Sequence, residues 1–169
     1  MMLFRAAASL LLALGAGQAA VVTPPEAPAA QAPRVLYYPV GADASKLFEQ
    51  ALARASTDNA RAVIVFGADW CHDSRALGEV LSSEAFKTEF GSRYEVTFID
   101  VGRPQTGEGR NLDMVKRLGV KHLKSTPALF VLRADGQVLN DKKDAISWRN
   151  AESRGSDKIL AWFRGFDKR

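Results

Sequence analysis

One cysteine, Cys71, lies in the string Trp70-Cys71-His72-Asp73-Ser74. An ionised thiol is a strong nucleophile toward sulfur, because the thiolate rather than the thiol attacks. Residues 62–66 (AVIVF) and a short turn precede the cysteine, and an amphipathic stretch follows it. That order predicts a helix starting at or just after Cys71, with the thiol exposed at its N-terminus. Unpaired backbone N–H groups and the helix dipole stabilise negative charge there. Thiols so placed have pKa values lowered to roughly 3.5–7.5. A protonated His72 would push the same way, and Asp73 would oppose it. Ser74 falls on the same helical face, three residues on, where its hydroxyl could donate to the sulfur. Trp70 is expected to keep one edge in solvent as a platform for substrate. The plainer alternatives are an inert core cysteine, a packed tryptophan and a solvated histidine.

Other chemistries find less support. Cys71, His72 and His122 are the only Cys and His residues, and they make no zinc-ligand pattern. No metal and no cofactor is expected. The loop over residues 102–110 (GRPQTGEGR) lacks the Lys-Ser/Thr ending of a phosphate loop. A net charge of +4, with scattered basic residues, argues against nucleic acid as a partner. His122 reads as a loop residue with nothing in the sequence to pair with it.

The elements that must hold the thiol alternate between strand and helix patterns. Residues 35–38 are expected as a short edge strand closed by Pro39. A helix over residues 44–55 carries Leu47, Phe48, Ala51, Leu52 and Ala55 on one face, with Asp43 as its cap. Residues 62–66 suit a strand covered on both faces. After the helix begun at Cys71, the pair Ser82-Ser83 interrupts, and residues 84–90 resume as helix. Residues 95–101 read as a strand, 102–110 as a Gly-rich loop, 111–118 as a short helix and 128–133 as a third central strand. A turn over residues 134–137 leads into Val138-Leu139 as a hairpin partner. Ser156 is expected to cap a last helix bearing Ile159, Leu160 and Phe163. This order gives an α/β fold, with a central mixed sheet and helices on both faces.

The N-terminus has its own pattern. Arg5 and the apolar residues 6–16, with Gly17 and Ala19 before a cut, predict a signal peptide over residues 1–19. Residues 20–33 form a Pro/Ala-rich linker with four prolines. The folded domain then covers residues 34–169. The chain is expected to be exported, to the periplasm, with no stable membrane insertion after cleavage.

The string FGADWCHDSRAL resembles the active-site segment of the thioredoxin family, in which a strand, an acidic residue, Trp and Cys-x-x-Cys lead into a helix. A second string, Ser125-Thr126-Pro127-Ala128-Leu129-Phe130, is similar to that family's Thr–cis-Pro element. The resemblance implies a thioredoxin-like fold with an extra N-terminal helix. It also implies that Thr126 and Pro127 lie opposite Cys71 and position an extended substrate. Two departures stand out. Ser74 occupies the place of the second cysteine, giving a monothiol Cys-x-x-Ser site, and Val65 occupies the place of a buried acid six residues before the first cysteine.

The resemblance implies a monothiol thiol–disulfide oxidoreductase, which exchanges or isomerises disulfides on exported substrates and is resolved by an external thiol. Its partners would be disulfide- or thiol-bearing proteins or a small-molecule thiol. The alternative is a redox-inactive peptide-binding or chaperone-like module. A one-cysteine peroxidase is weaker, because the strand before the cysteine offers no polar group to activate a peroxide.

Overall fold

The computed structural model describes residues 34–168. The signal peptide and the linker expected over residues 1–33 lie outside the described residues.

Helix α1 (Ala44–Thr57) begins where the Asp43 carboxylate accepts from the Lys46 N–H at 3.0 Å. It ends at Thr57, just before Asn59 turns the chain with φ of 51°. Strand β1 (Arg61–Gly67) lies between β2 (Tyr94–Asp100), which it pairs in parallel, and β5 (Ala128–Leu132), which it pairs antiparallel. The sheet is therefore mixed, in the order β2-β1-β5. Alternate residues sort to its two faces, as a two-residue repeat requires. Val63 and Val65, with Leu129 and Val131, join one core beneath α2 (His72–Ser82), α3 (Glu84–Phe90) and α7 (Ser156–Phe166). Ala62, Ile64 and Phe66, with Phe130 and Leu132, join the other beneath α1 and α4 (Leu112–Arg117). Covered on both faces, the central strand has no use for polar residues, which is why AVIVF runs unbroken.

The first core is built largely from rings. Phe163 meets Phe86 at 5.0 Å and Tyr94 at 5.2 Å between centroids, both edge-on. Such pairs add roughly 0.5–1.5 kcal/mol each beyond the area they bury. Ser83 explains the break between α2 and α3: its hydroxyl accepts from the Phe86 N–H at 3.2 Å and so opens a new helix.

Four expectations need correcting. Residues 35–38 are not a strand, because the backbone N–H groups of Tyr37 and Tyr38 are taken by the Asp69 carboxylate, at 2.9 and 3.1 Å, instead of by a strand neighbour. The 102–110 loop is a small ribbon, β3 (Gly102–Arg103) against β4 (Glu108–Gly109), closed by a 3-10 turn and by Gly107 at φ 83°. The hairpin partner at 138–139 shrinks to a single bridge between Leu132 and Val138. Beyond it the Asn140 side chain continues the ladder, accepting from Val131 N–H at 2.8 Å and donating to Leu129 C=O at 2.9 Å. Finally, α7 has Gly155 before it, and Ser156 makes no capping bond.

The polar stretch after residue 140 holds two helical turns, α5 (Lys142–Ala145) and α6 (Ala151–Arg154). Between them Trp148 is fully buried, edge-on to Trp162 at 5.0 Å, with the Arg154 guanidinium 4.3 Å from its ring centre. The architecture agrees with the α/β expectation: a central mixed sheet, helices on both faces and an extra helix at the N-terminal end.

Candidate functional site

Strand β1 delivers its chain to the site at Gly67. A Cβ there would come within 2.6 Å of the Tyr38 ring and 2.8 Å of Ser74 Oγ, so only glycine fits. A tight turn follows, with the Cys71 N–H donating to Ala68 C=O at 3.0 Å. Cys71 is the N-cap residue of α2, with extended backbone angles of −85° and 124° and no side-chain capping bond. Its carbonyl accepts the first intrahelical bond, from Arg75 N–H at 3.1 Å. The thiol thus stands at a helix start, as the spacing predicts.

Its exposure differs from expectation. Cys71 is only 7% exposed. The loop before β5 covers it, and Sγ lies 3.5 Å from the carbonyl oxygen of Thr126, to which it donates. The Thr126–Pro127 peptide bond is cis, and both residues are buried. Thr126 and Pro127 therefore come together with Cys71 across the chain.

Ser74 is fully buried on the same first turn. Its hydroxyl has no hydrogen-bond partner, so the expected donation to sulfur is absent. Its carbonyl instead accepts from the Tyr38 hydroxyl at 3.0 Å. Burial holds the Tyr38 phenol well above its usual pKa, so that hydroxyl stays a donor. Val65 is fully buried among Tyr38, Leu77 and Leu129 and brings no ionisable group beneath the site.

His72 and Asp73 also take other partners than the sulfur. The exposed His72 ring sets Nε2 3.3 Å from Asp73 Oδ2 and 3.9 Å from Glu152 Oε2. The buried Asp73 carboxylate accepts from Glu152 N–H at 3.0 Å, which ties α2 to α6. Asp73 thereby supplies an acceptor to the first turn of α6, a structural role the sequence did not suggest.

Trp70 is 41% exposed, beside the covered thiol. Its indole N–H donates to Gly102 C=O at 2.9 Å, and the Arg103 guanidinium lies 5.3 Å from the ring centre. The β3–β4 ribbon therefore fixes the orientation of the ring. A shallow cavity of about 330 Å³ opens here, lined by Val40, Trp70, Arg103 and Arg110 among others. Arg110 Nη1 lies 3.1 Å from Asp100 Oδ2 in the cavity wall. That contact is an ion pair without hydrogen-bond alignment, since the same oxygen has no hydrogen-bond partner.

Sequence reasoning missed three residues that build this site: Tyr38, Asp69 and Arg103. Asp69 was visible before Trp70, but its grip on Tyr37 and Tyr38 spans more than thirty positions and left no local signal. His122 is exposed and lines a separate cavity with Lys121 and Lys124. Among the described residues no group of three or more His, Cys, Asp and Glu side chains could hold a metal ion. No helix among them is long and apolar enough to cross a membrane.

The arrangement brings a lone sulfur, a helix start and a backbone carbonyl next to a cis proline within reach of one another, with a half-exposed tryptophan as the preceding residue. It suits attack by the sulfur on an extended sulfur-bearing chain. No family model matches the sequence, and no curated protein matches it. The structure is similar to the crystal structure of a disulphide isomerase from Xylella fastidiosa Temecula1, with a TM-score of 0.69 and 30% sequence identity. That similarity covers 79% of this chain and 98% of the other.

Proposed function

The chain belongs to the thioredoxin-like family, and from that premise we propose that it is a monothiol thiol–disulfide oxidoreductase acting through Cys71. The observation that supports this most is the pairing of Cys71 Sγ with Thr126 C=O at 3.5 Å, at the start of α2. A substrate chain lying along the 125–127 loop would bring its sulfur to that atom.

The chemistry balances without a cofactor. Cys71 gives its proton to solvent, and the thiolate attacks one sulfur of the substrate disulfide. A new S–S bond forms to Cys71 as the old one breaks, and the other sulfur leaves as a thiolate that takes up a proton. The first turn of α2 favours the anionic sulfur before attack through its unpaired N–H groups. An external thiol then attacks the mixed disulfide. It becomes part of the released disulfide and returns Cys71 as a thiol. Ser74 cannot do that work, having no sulfur. The usual gain from an intramolecular second thiol is therefore forfeited, and net oxidation or reduction by this chain alone should be slow. Exchange, isomerisation and deglutathionylation remain open to it. Trp70, held by Gly102 and Arg103, would lie under the substrate backbone.

The proposal is tested with a glutathionylated peptide and added glutathione. Turnover should be lost in Cys71→Ala and kept in Ser74→Ala. Equal rates for the wild type and Cys71→Ala would remove the reading.

The small exposure of Cys71 favours a second reading, a peptide-binding or chaperone-like module that keeps the groove without the chemistry. Peptide capture that survives Cys71→Ala, with no disulfide-linked adduct in the wild type, would select it. The leader pattern of residues 1–19 supports export to the periplasm and substrates found there. Fractionation of the expressed full chain tests that part.

A further inference from the structure

Another cavity lies away from the thiol. Strand β1 enters the sheet at Arg61 and delivers the site at Gly67, so the two ends of the strand are about 20 Å apart. At the Arg61 end, three neighbouring strands each bring an arginine. Arg93 immediately precedes β2, Arg61 opens β1 opposite Tyr94, and Arg133 immediately follows β5, whose Leu132 pairs with Ala62. The Arg61 N–H donates to Arg93 C=O at 2.9 Å, which keeps two of these backbones in step. Adjacent strands are roughly 4.8 Å apart, so the register brings the three arginine backbones to one end of the sheet.

All three line a cavity of about 710 Å³, and Asp167 is the sole carboxylate among the residues that line it. Arg61 and Arg93 share Asp167, at 3.4 and 2.5 Å. Arg61 also rests over the Phe166 ring at 5.6 Å. Arg133 is exposed and makes no side-chain hydrogen bond or ion pair among the described residues. Like charges side by side on neighbouring strands destabilise a sheet unless something offsets them. Here one carboxylate faces three cations. Guanidinium groups recognise oxyanions with paired oxygens, and two of these arginines each already hold one oxygen of the shared carboxylate through a single nitrogen. Leu139 and Phe166 add an apolar wall.

We propose that this cavity binds a small organic ligand with a doubly charged oxyanion head, held by Arg133 together with Arg61 and Arg93, and with its body against Leu139 and Phe166. The site is separate from the thiol and does not depend on the redox reading. The volume falls in the range of small-molecule sites.

Calorimetric titration of the purified protein with inorganic pyrophosphate and with citrate tests it, against sodium chloride at matched ionic strength. Saturable binding of at least one of the two anions is expected. Stronger binding of pyrophosphate would identify a phosphate head, and stronger binding of citrate a carboxylate one. Arg133→Gln should weaken that binding roughly tenfold, the loss of one charge-assisted pair. Because Arg133 is exposed and unpartnered, its replacement leaves the fold and the rate of Cys71 alkylation unchanged. Heats no different from those of sodium chloride, or equal affinities in wild type and Arg133→Gln, would overturn the proposal.

Discussion

The Tyr38 hydroxyl donates to the Ser74 carbonyl at 3.0 Å, joining the segment before α1 to the first turn of the thiol-bearing helix. The carbonyl also belongs to the α2 ladder, so it stays paired within the helix when the phenol is removed. Tyr38→Phe should therefore cost about 0.5–1.5 kcal/mol of unfolding free energy, the usual net worth of one hydrogen bond. Urea denaturation reads this directly, and an unchanged midpoint would show that the bond carries no weight.

Alkaline pH should destabilise the protein, in part through the same residue. Burial raises the Tyr38 pKa well above 10.0, and burial together with the Asp167 hydrogen bond raises that of Tyr94. In the unfolded chain both ionise near the ordinary value. Above about pH 10 the unfolded state releases protons that the folded state keeps, so stability is intact below that pH and falls above it. Tyr38 alone contributes a slope of about 1.4 kcal/mol per pH unit until its folded-state pKa is reached. Denaturation midpoints taken from pH 8 to pH 11 should decline above pH 10, and less steeply in Tyr38→Phe.

Restoring a second sulfur should change the chemistry. Residues three apart on a helix are neighbours, within the Cα separation a disulfide tolerates. Ser74→Cys should form an intramolecular bond with Cys71 under a glutathione redox buffer, seen as the loss of two hydrogens by mass. It should also give reductase turnover on a protein disulfide that the parent chain lacks. A variant that stays a free dithiol in oxidising buffer would mean the first turn cannot bring the two sulfurs together.

The buried Ser74 hydroxyl makes no hydrogen bond, so its removal has little to lose. Ser74→Ala should be neutral or stabilising by up to about 1 kcal/mol, because an unpaired buried hydroxyl is a burden on the folded state. A thermal melt is sufficient. A drop of several degrees would reveal a partner for that oxygen, such as a bound water.

Asp69 should matter for local order more than for global stability. Its carboxylate accepts from two successive backbone N–H groups, Tyr37 and Tyr38. Asp69→Ala should speed hydrogen exchange at those two amides by at least tenfold, consistent with the loss of charge-assisted bonds. Exchange in β1 should be unaffected. Equal speeding throughout the sheet would mean that the segment unfolds only with the whole domain.

The sequence revealed those parts of the fold whose cause is local. The unbroken run of residues 62–66 reads as a central strand because both of its faces are covered. The helix start at Cys71 follows from the turn after that strand, and the cap at Asp43 from its carboxylate. What could not be read rests on distant partners. Residues 35–38 look like a strand by composition, yet an acid more than thirty positions on takes the Tyr37 and Tyr38 N–H groups. The thiol loses its exposure to a loop 55 positions away. The 102–110 ribbon depends on two positive-φ glycines, Gly102 and Gly107, which a Gly-rich string does not distinguish from a plain loop. Trp148 stands alone in a polar stretch, and only the packing of Trp162 and Arg154 against it explains its burial.

Asn140 carries one more implication. Strand β5 ends the sheet on its side, and a bare border of that kind invites chains to add on one after another. The asparagine amide reaches both Val131 and Leu129 and fills that border as a false strand would. With the Leu139 N–H donating to Val131 C=O at 2.8 Å, the 137–140 segment and its asparagine together guard that border against fibre-like self-association, and Asn140→Ala would uncover the Val131 N–H and Leu129 C=O.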